Sequence, residues 1–437
     1  MKSLLSRRTF LARTSASLFA TGAAGPLLMR AQNGLAANDR LNVGIVGVAG
    51  QGAFSVGQLK GIANIAALCD VDERKLAAAQ KEFPAAQGYR DFRRLMDQKD
   101  LDAVVVATPD HTHAVAAVAV LQSGRHLYCE KPLTRTISEC RIVTELARKM
   151  KRVTQIGTQI HAGGNYRRVV ELVRSGVLGE VEDVHVWVAS SYGGKDRPKE
   201  VPPVPAGLDW DAWLGPVEAR PYHPEYAPFN WRHWWAFGGG SLADFGCHFM
   251  DLPFWALDLH HPVTVEAEGP AVHAESTPPW LIVKYQFPER IALGAKSPAV
   301  KLTWYHGGQY PQELVTPEQF NKWKSGVLFI GKKGMLLADY GRHVLLPEKD
   351  FEGFVKPRPF LRDSIGHHRE WVEAIRLGGT TTCRFDYSGP LTETALLGNV
   401  AYRAGRKLEW DFEKMRAVNC AEAEQFIQHR YRAGWKI

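Results

Sequence analysis

The chain has no Cys-x-x-Cys pair among its six cysteines, Cys69, Cys129, Cys140, Cys247, Cys383 and Cys420. Six unclustered cysteines in 437 residues do not make a disulfide scaffold, and their spacing supports no structural zinc site, so no metal is expected. No apolar run is long enough, and free enough of charge, to span a membrane in the mature protein. Internal repeats and low-complexity tracts are absent. Acidic residues are missing from residues 1–37, which carry Lys2, Arg7, Arg8, Arg13 and Arg30. Ser6-Arg7-Arg8-Thr9-Phe10-Leu11 is a twin-arginine pattern, and a moderately apolar stretch from Thr14 to Met29 follows it. A small-residue region, Gly34-Leu35-Ala36-Ala37, comes next. This order reads as a twin-arginine translocation (Tat) signal over residues 1–37. The Tat export machinery is then a partner, and the periplasm or another exported location the destination. The competing reading is a disordered basic tail. Removing the segment takes five of the formal +8 charges and leaves +3. The basicity therefore reflects targeting, and no nucleic-acid partner is expected.

An apolar fraction of 45% and a charged fraction of 23% describe an ordinary globular chain, long enough for two domains with cores of their own. Short apolar segments alternate with helical ones from about residue 40 to 158. Asn42–Val46, Ile65–Cys69, Ala103–Ala107, His126–Cys129 and Thr154–Gly157 read as strands, and Glu73–Lys81, His113–Ser123 and Ile137–Lys149 as helices. Strands buried on both faces and joined by helices predict a doubly wound parallel sheet. The character changes over residues 159–437. A helix is expected at Gly164–Ser175 and a strand at Val184–Ala189. An irregular stretch rich in Pro, Gly and Trp then runs from Ser190 to Gly240. Val263–Glu268, Leu281–Phe287, Lys301–Tyr305, Val327–Ile330 and Met335–Ala338 follow without intervening helices, so this half is expected to be α+β with a large, mostly antiparallel sheet. Helices return at Ser364–Leu377 and Pro390–Arg403.

Gly47-Val48-Ala49-Gly50-Gln51-Gly52 lies directly after the first strand and matches G-x-A-x-x-G. The first glycine allows the tight turn and Gly52 allows helix–strand packing, while a pyrophosphate would rest on free N–H groups at the helix start. Ala49 in the middle position weakens the match. Asp70 ends the second strand, where a carboxylate binds ribose hydroxyls and repels a 2′-phosphate, which favours NAD. Arg74 leaves NADP open, and a helix-capping role for Asp70 competes. Thr108-Pro109-Asp110-His111-Thr112-His113 follows the Ala103 strand, at the sheet edge where ligands bind. For the two histidines, a helix-start position competes with cofactor contact.

Glu130-Lys131-Pro132 follows another strand, and Gly238-Gly239-Gly240 leads into Asp244, His248 and Asp251, spaced so that one helix face would carry all three. A lysine at a cofactor's edge with an aspartate and a histidine from another domain suits hydride transfer from an alcohol. Together with the Gly47–Gly52 turn, Asp70 and the Thr108–His113 segment, these motifs resemble the glucose–fructose oxidoreductase / inositol dehydrogenase / rhizopine-catabolism (Gfo/Idh/MocA) family over nearly the whole mature chain. The resemblance implies a Rossmann domain followed by an α/β domain whose open sheet commonly mediates homo-oligomers. It implies that Gly47, Ala49, Gly50, Gln51, Gly52, Asp70, Thr108, Pro109, His113, Glu130 and Lys131 hold the cofactor. It also implies that Lys131 favours the developing alkoxide and His248 takes the hydroxyl proton. Asp244 would orient substrate or tune the imidazole, with Asp251 behind it. For His248 alone, a satisfied core histidine is the competing reading.

Six of the 13 tryptophans lie between Trp210 and Trp255, interleaved with Tyr222, His223, Tyr226, Arg232 and His233. Aromatic faces pack on the C–H faces of sugars, although they also pin long loops to a core. Trp231, Arg232 and Gln159 are substrate-contact candidates beside Asp244 and His248. Export adds a constraint, because no soluble NAD pool is expected outside the cytoplasm. The cofactor would travel tightly bound and be restored on the enzyme. The expected function is an exported oxidoreductase acting on a sugar or glycoside hydroxyl. A redox-neutral NAD-dependent glycoside hydrolase or lyase on the same scaffold, and a non-catalytic nucleotide- or sugar-binding protein, are the alternatives.

Overall fold

The computed structural model describes residues 40–437, so the expected export signal lies outside the described residues. Six strands form a parallel sheet: β1 (Asn42–Val46), β2 (Asn64–Cys69), β3 (Gln87–Tyr89), β4 (Ala103–Val106), β5 (His126–Cys129) and β6 (Thr154–Ile156). Their order is β3-β2-β1-β4-β5-β6, so the winding reverses between β1 and β4 and leaves a crevice at the strand ends there. β4 is Ala-Val-Val-Val and wholly buried, as a central strand covered on both faces must be. The crossovers are α1 (Gln51–Leu59), α2 (Glu73–Glu82), α3 (Asp110–Gln122) and α4 (Ile137–Met150). Almost every residue of α3 is buried, which accounts for its lack of a polar face. α4 starts with a reciprocal capping box between Thr136 and Glu139.

After α5 (Gly164–Arg174) the chain builds a second sheet. It contains β7 (Val181–Val188), β8 (Thr264–Glu268), β9 (Leu281–Phe287), β12 (Val300–His306), β13 (Ser325–Gly331), β14 (Gly334–Ala338), β15 (His343–Leu346), β16 (Leu408–Asp411) and β17 (Arg416–Ala417). A separate hairpin, β10 (Arg290–Ala292) and β11 (Ala295–Ser297), precedes β12. The order is β15-β14-β13-β7-β12-β9-β8-β16-β17, and all neighbours named in the pairing are antiparallel except the parallel β7–β12 pair. Alternation along β7 sends Val184, Val186 and Val188 into the main core. That core also holds residues of α6 (Gly240–Phe249), α7 (Asp251–Leu257) and the later α9 (Phe385–Ala404). Trp187 points the other way, into a smaller cluster with Tyr305, Trp323 and Leu328.

The two halves interlock. α8 (His367–Leu377) brings Trp371 and Val372 onto the first sheet, and Cys383 and Phe385 enter its other core. This explains why α9 begins at Phe385 rather than at the expected Pro390. The Phe385 N–H donates to Thr154 Oγ1 at 3.0 Å, so tertiary contact starts the helix a turn before the proline. The expected continuous face of Asp244, His248 and Asp251 is also corrected. α6 ends at Phe249 and α7 starts at Asp251, because Pro253 has no N–H to continue the ladder to Phe249. Three further features were not anticipated: β3, the β10–β11 hairpin and the strands β15 to β17. They are short and carry little periodicity.

Candidate active site

The crevice between β1 and β4 opens into a cavity of about 770 Å³ that runs across both halves. At its first end the β1–α1 turn supplies Gly47, Ala49, Gly50 and Gln51. Gly47 has φ 85°, and a side chain there would meet the Ala107 carbonyl at 2.6 Å. Gly52 does not line the cavity: a Cβ there would lie 1.7 Å from the Gly47 carbonyl oxygen, so its role is close packing of α1 on β1. Gly50 takes φ 56° with open space where a side chain would be. It supplies the freedom that Ala49 lacks. α1 has no side-chain cap and no acid in its first turn, which leaves its N–H groups for an anion.

Asp70 lines the same cavity. Its Oδ2 accepts from the Val48 N–H at 3.1 Å and its Oδ1 from the Asp72 N–H at 2.9 Å. Burial raises its pKa against the pull of those two N–H groups. The cap of α2 is Asp72, which accepts from the Arg74 N–H, so Asp70 is not the capping residue. Thr108, Pro109 and Glu130 line the next stretch. Thr108 Oγ1 and Glu130 Oε2 are buried without a partner. Burial pushes the Glu130 carboxyl up to about 7, against the Lys131 charge and the Gln159 amide. An uncapped helix start, a glycine cradle, a ribose-side carboxylate and two orphaned polar atoms along one cavity suit a dinucleotide.

Besides Gly52, two candidates do not reach the cavity. His113 is buried, with Nδ1 at 2.8 Å from the Pro132 carbonyl and Nε2 at 2.7 Å from the Thr108 carbonyl. It ties two cavity-lining loops together instead of touching a cofactor, because α3 turns it inward. Burial lowers it to about 4, against those carbonyl contacts. Gln159 donates from Nε2 to Glu130 Oε1 at 2.8 Å and to the Tyr128 hydroxyl at 3.0 Å. Its Nε2 is committed to Glu130 and Tyr128, and the residue does not line the cavity.

At the second end, Lys131 arrives from β5 and Asp244 and His248 from α6, all lining the same cavity. Lys131 Nζ donates to Asp244 Oδ1 at 2.5 Å and to the Asp244 carbonyl at 2.9 Å. Arg232 Nε lies 3.3 Å from Asp244 Oδ2. Burial alone would raise the Asp244 pKa, but the Lys131 and Arg232 cations outweigh it and hold the carboxyl at about 2. Asp244 therefore engages the lysine and arginine, and no hydrogen bond joins it to the imidazole. His248 Nδ1 is buried without a partner. Burial, with the Lys131 charge, pushes the ring down to about 3, so it is neutral near pH 7. Trp231 lines the cavity with the Arg232 guanidinium 4.1 Å from its ring centroid. Asp251 is fully buried elsewhere: Tyr387 donates to its Oδ1 at 2.7 Å, and His161 Nδ1 lies 3.0 Å from both oxygens. Among the described residues, His161, Asp251 and Cys383 bring potential ligand atoms within 4.8 Å, but that carboxylate is already taken up by His161 and Tyr387. All six cysteines are buried and free.

Asp110 and Tyr192 also line the cavity and were not singled out from the sequence. Asp110 opens α3, and burial, with the Asp244 charge, keeps its carboxyl well above the ordinary range against Arg232 and Lys131. Burial and Asp244 push the Tyr192 phenol up to about 12. Asp110 lay within a recognised motif; Tyr192 had no local signal.

Residues 41–158 match the Gfo/Idh/MocA family model described as an oxidoreductase NAD-binding Rossmann fold. Residues 163–304 match the model of that family's C-terminal α/β domain. The chain belongs to the Gfo/Idh/MocA oxidoreductase family. Within it, the chain is 33% identical over 153 residues to the inositol 2-dehydrogenase of Salmonella paratyphi B, a match covering 33% of this chain and 45% of that protein. It is 29% identical over 155 residues to a glycosyl hydrolase family 109 protein of Shewanella sp., covering 33% of this chain and 34% of that one. Both matches span less than half of the relative. The WlbA dehydrogenase from Bordetella pertussis, solved with NADH and UDP-GlcNAcA, superposes with a TM-score of 0.62 at 17% identity, over 85% of this chain and 99% of that one. That likeness shows a shared fold.

Proposed function

We propose that this chain is an exported oxidoreductase that transfers a hydride between a sugar or glycoside hydroxyl and a tightly held NAD. One observation carries the reading: a single cavity has the phosphate turn and Asp70 at one end and Lys131, Asp244 and His248 at the other. When bound, the nicotinamide would supply the hydride acceptor. Lys131 would bind the reacting oxygen and favour its negative charge, an effect strengthened in a site shielded from water. Asp244 would fix the ammonium through its carboxylate and carbonyl. His248, whose Nδ1 is buried, would accept the hydroxyl proton at Nε2. Trp231 and Tyr192 would offer flat faces to the sugar ring. The sugar dehydrogenase names among the relatives support a polyol or sugar substrate. Export rests on the twin-arginine pattern at Arg7-Arg8. A homo-oligomer is part of the proposal, supported by half-buried Ile282, Ile330 and Met335 against the outer cluster of the large sheet.

A second reading has support of its own. Redox-neutral cleavage needs an acid for the leaving group besides a base, and Asp110 is a carboxyl in the same cavity whose pKa burial raises well above the ordinary range. The glycosyl hydrolase family 109 relative is compatible with that route, although the match covers only the cofactor-binding third. The test is to add sugars and disaccharides to the protein as purified while following reduced-nicotinamide absorbance and products. An intact keto-glycoside supports oxidation, and free monosaccharide supports cleavage. Protein that neither carries nor binds NAD(P) would sink both.

A further inference from the structure

Beyond Asp70 the cavity is walled by a segment from the far end of the sequence. Trp435 lines it beside Phe92 and Arg93, which follow β3. The Arg93 guanidinium lies 4.9 Å from the Trp435 ring centroid, and the Phe92 ring is 6.1 Å away. The segment is fastened at several points. Arg432 donates through its backbone N–H to the Pro216 carbonyl at 3.0 Å. Its guanidinium donates to the Gly215 carbonyl at 2.5 Å, to Asp211 Oδ1 at 2.5 Å and to the Asp211 carbonyl at 2.7 Å. The Tyr431 hydroxyl donates to Glu139 Oε1 at 2.7 Å, and Ile437 packs on the core of the first sheet. Asp211 itself belongs to the tryptophan-rich loop, whose Gly207 carbonyl accepts from the Glu73 N–H at the start of α2. Loop and tail thus close over the same end of the cavity from two sides.

An indole that faces a cavity, backed by a guanidinium, suits a flat aromatic ligand. With phosphates at Gly50 and a ribose at Asp70, the next group of a dinucleotide is its purine. We infer that Trp435, backed by Arg93, is the stacking platform for that purine, and that residues 428–437 form a latch which must be unseated before the cofactor leaves. This rests on the cofactor reading above and deepens it, because it supplies the means of retention that an exported enzyme needs.

Nucleotide fragments separate the latch from the reading beneath it. ADP-ribose carries the purine end, and nicotinamide mononucleotide carries only the other. By calorimetry on nucleotide-stripped protein, Trp435→Ala should weaken ADP-ribose by roughly 5- to 100-fold, the range for losing one base-stacking contact, and leave the mononucleotide unchanged. Arg432→Ala, which unseats the segment but keeps the ring, should also weaken ADP-ribose and speed loss of resident dinucleotide after dilution. Unaltered ADP-ribose affinity and release in both variants would overturn the latch while wild-type NAD binding kept the cofactor reading standing. Equal losses for both fragments would overturn it too, since they would report a damaged site. Wild-type protein that binds neither ADP-ribose nor NAD would remove both.

Discussion

Replacing Lys131 with methionine removes one charge and keeps the length of the stem. In the native protein the Lys131 and Asp244 side chains are only 10% and 8% exposed, so their 2.5 Å contact is little screened. The Asp244 carboxyl stands at about 2 instead of 3.8, a shift corresponding to about 2 kcal/mol. Its folded pKa is depressed. The stability it contributes is therefore present above the unfolded value and lost as pH falls through about 2. Without Lys131, burial is opposed mainly by Arg232, the carboxyl titrates higher, and acid unfolding moves to higher pH. Arg232 keeps the carboxylate partly paired, so the loss should stay near 2 kcal/mol and not reach the roughly 3–5 kcal/mol of a fully orphaned buried charge. A domain stable by about 5–15 kcal/mol survives that. The chemical step should fall by about 100- to 1,000-fold, the usual cost of deleting one electrostatic donor at a developing oxyanion. Single-turnover reduction of resident cofactor by a substrate sugar measures the rate, and thermal unfolding against pH measures the rest. A folded Lys131→Met protein that reduces its cofactor at the native rate would refute the proposed site.

His248→Ala should slow the same single turnover by about 100- to 10,000-fold while the melting midpoint at neutral pH changes little, and an unaffected rate would clear His248 of the base role. Glu130 has a raised carboxyl, near 7, so its contribution to stability is present below its unfolded value near 4.5 and lost as pH rises through 7. Glu130→Gln should flatten that part of the melting-temperature profile, and an unchanged slope would count against it. Gly52→Ala places a Cβ 1.7 Å from the Gly47 oxygen and should destabilise by about 1–3 kcal/mol or more and abolish NAD binding. Gly50→Ala meets no atom within 4 Å, so its cost is the backbone strain at φ 56° and ψ −120° alone, about 1–3 kcal/mol. Unchanged stability and NAD affinity in Gly52→Ala would contradict the packing argument.

The cofactor half was largely legible in the sequence. Its strands and helices are local periodic segments, and Gly47, Asp70 and Lys131 sit at strand ends, where the parallel fold itself gathers them. Asp244 and His248 were legible because a helix fixes residues one turn apart on one side. The expected single face with Asp251 did not form because a proline two residues later breaks that helix, and Tyr387 and His161 claim the Asp251 carboxylate. His113 and Gln159 do not line the cavity, for a related reason. Their spacing put them beside the cavity, but which way a side chain points depended on carbonyls and a carboxylate contributed by other loops.

The sequence by itself determined the element types, the phosphate turn and the residue kinds that chemistry here would need. All of these follow from backbone preference and short-range spacing. The tertiary structure decided that Lys131 pairs with Asp244, that His248 is left neutral with an unpartnered Nδ1, that the Asp110 carboxyl is pushed well above its ordinary range, and that Trp435 lines the cavity. Each of those depends on burial and on charges brought from more than 100 residues away, as in the 113-residue separation of Lys131 and Asp244. Desolvation and Coulomb interaction act through space, and no local window of residues carries them.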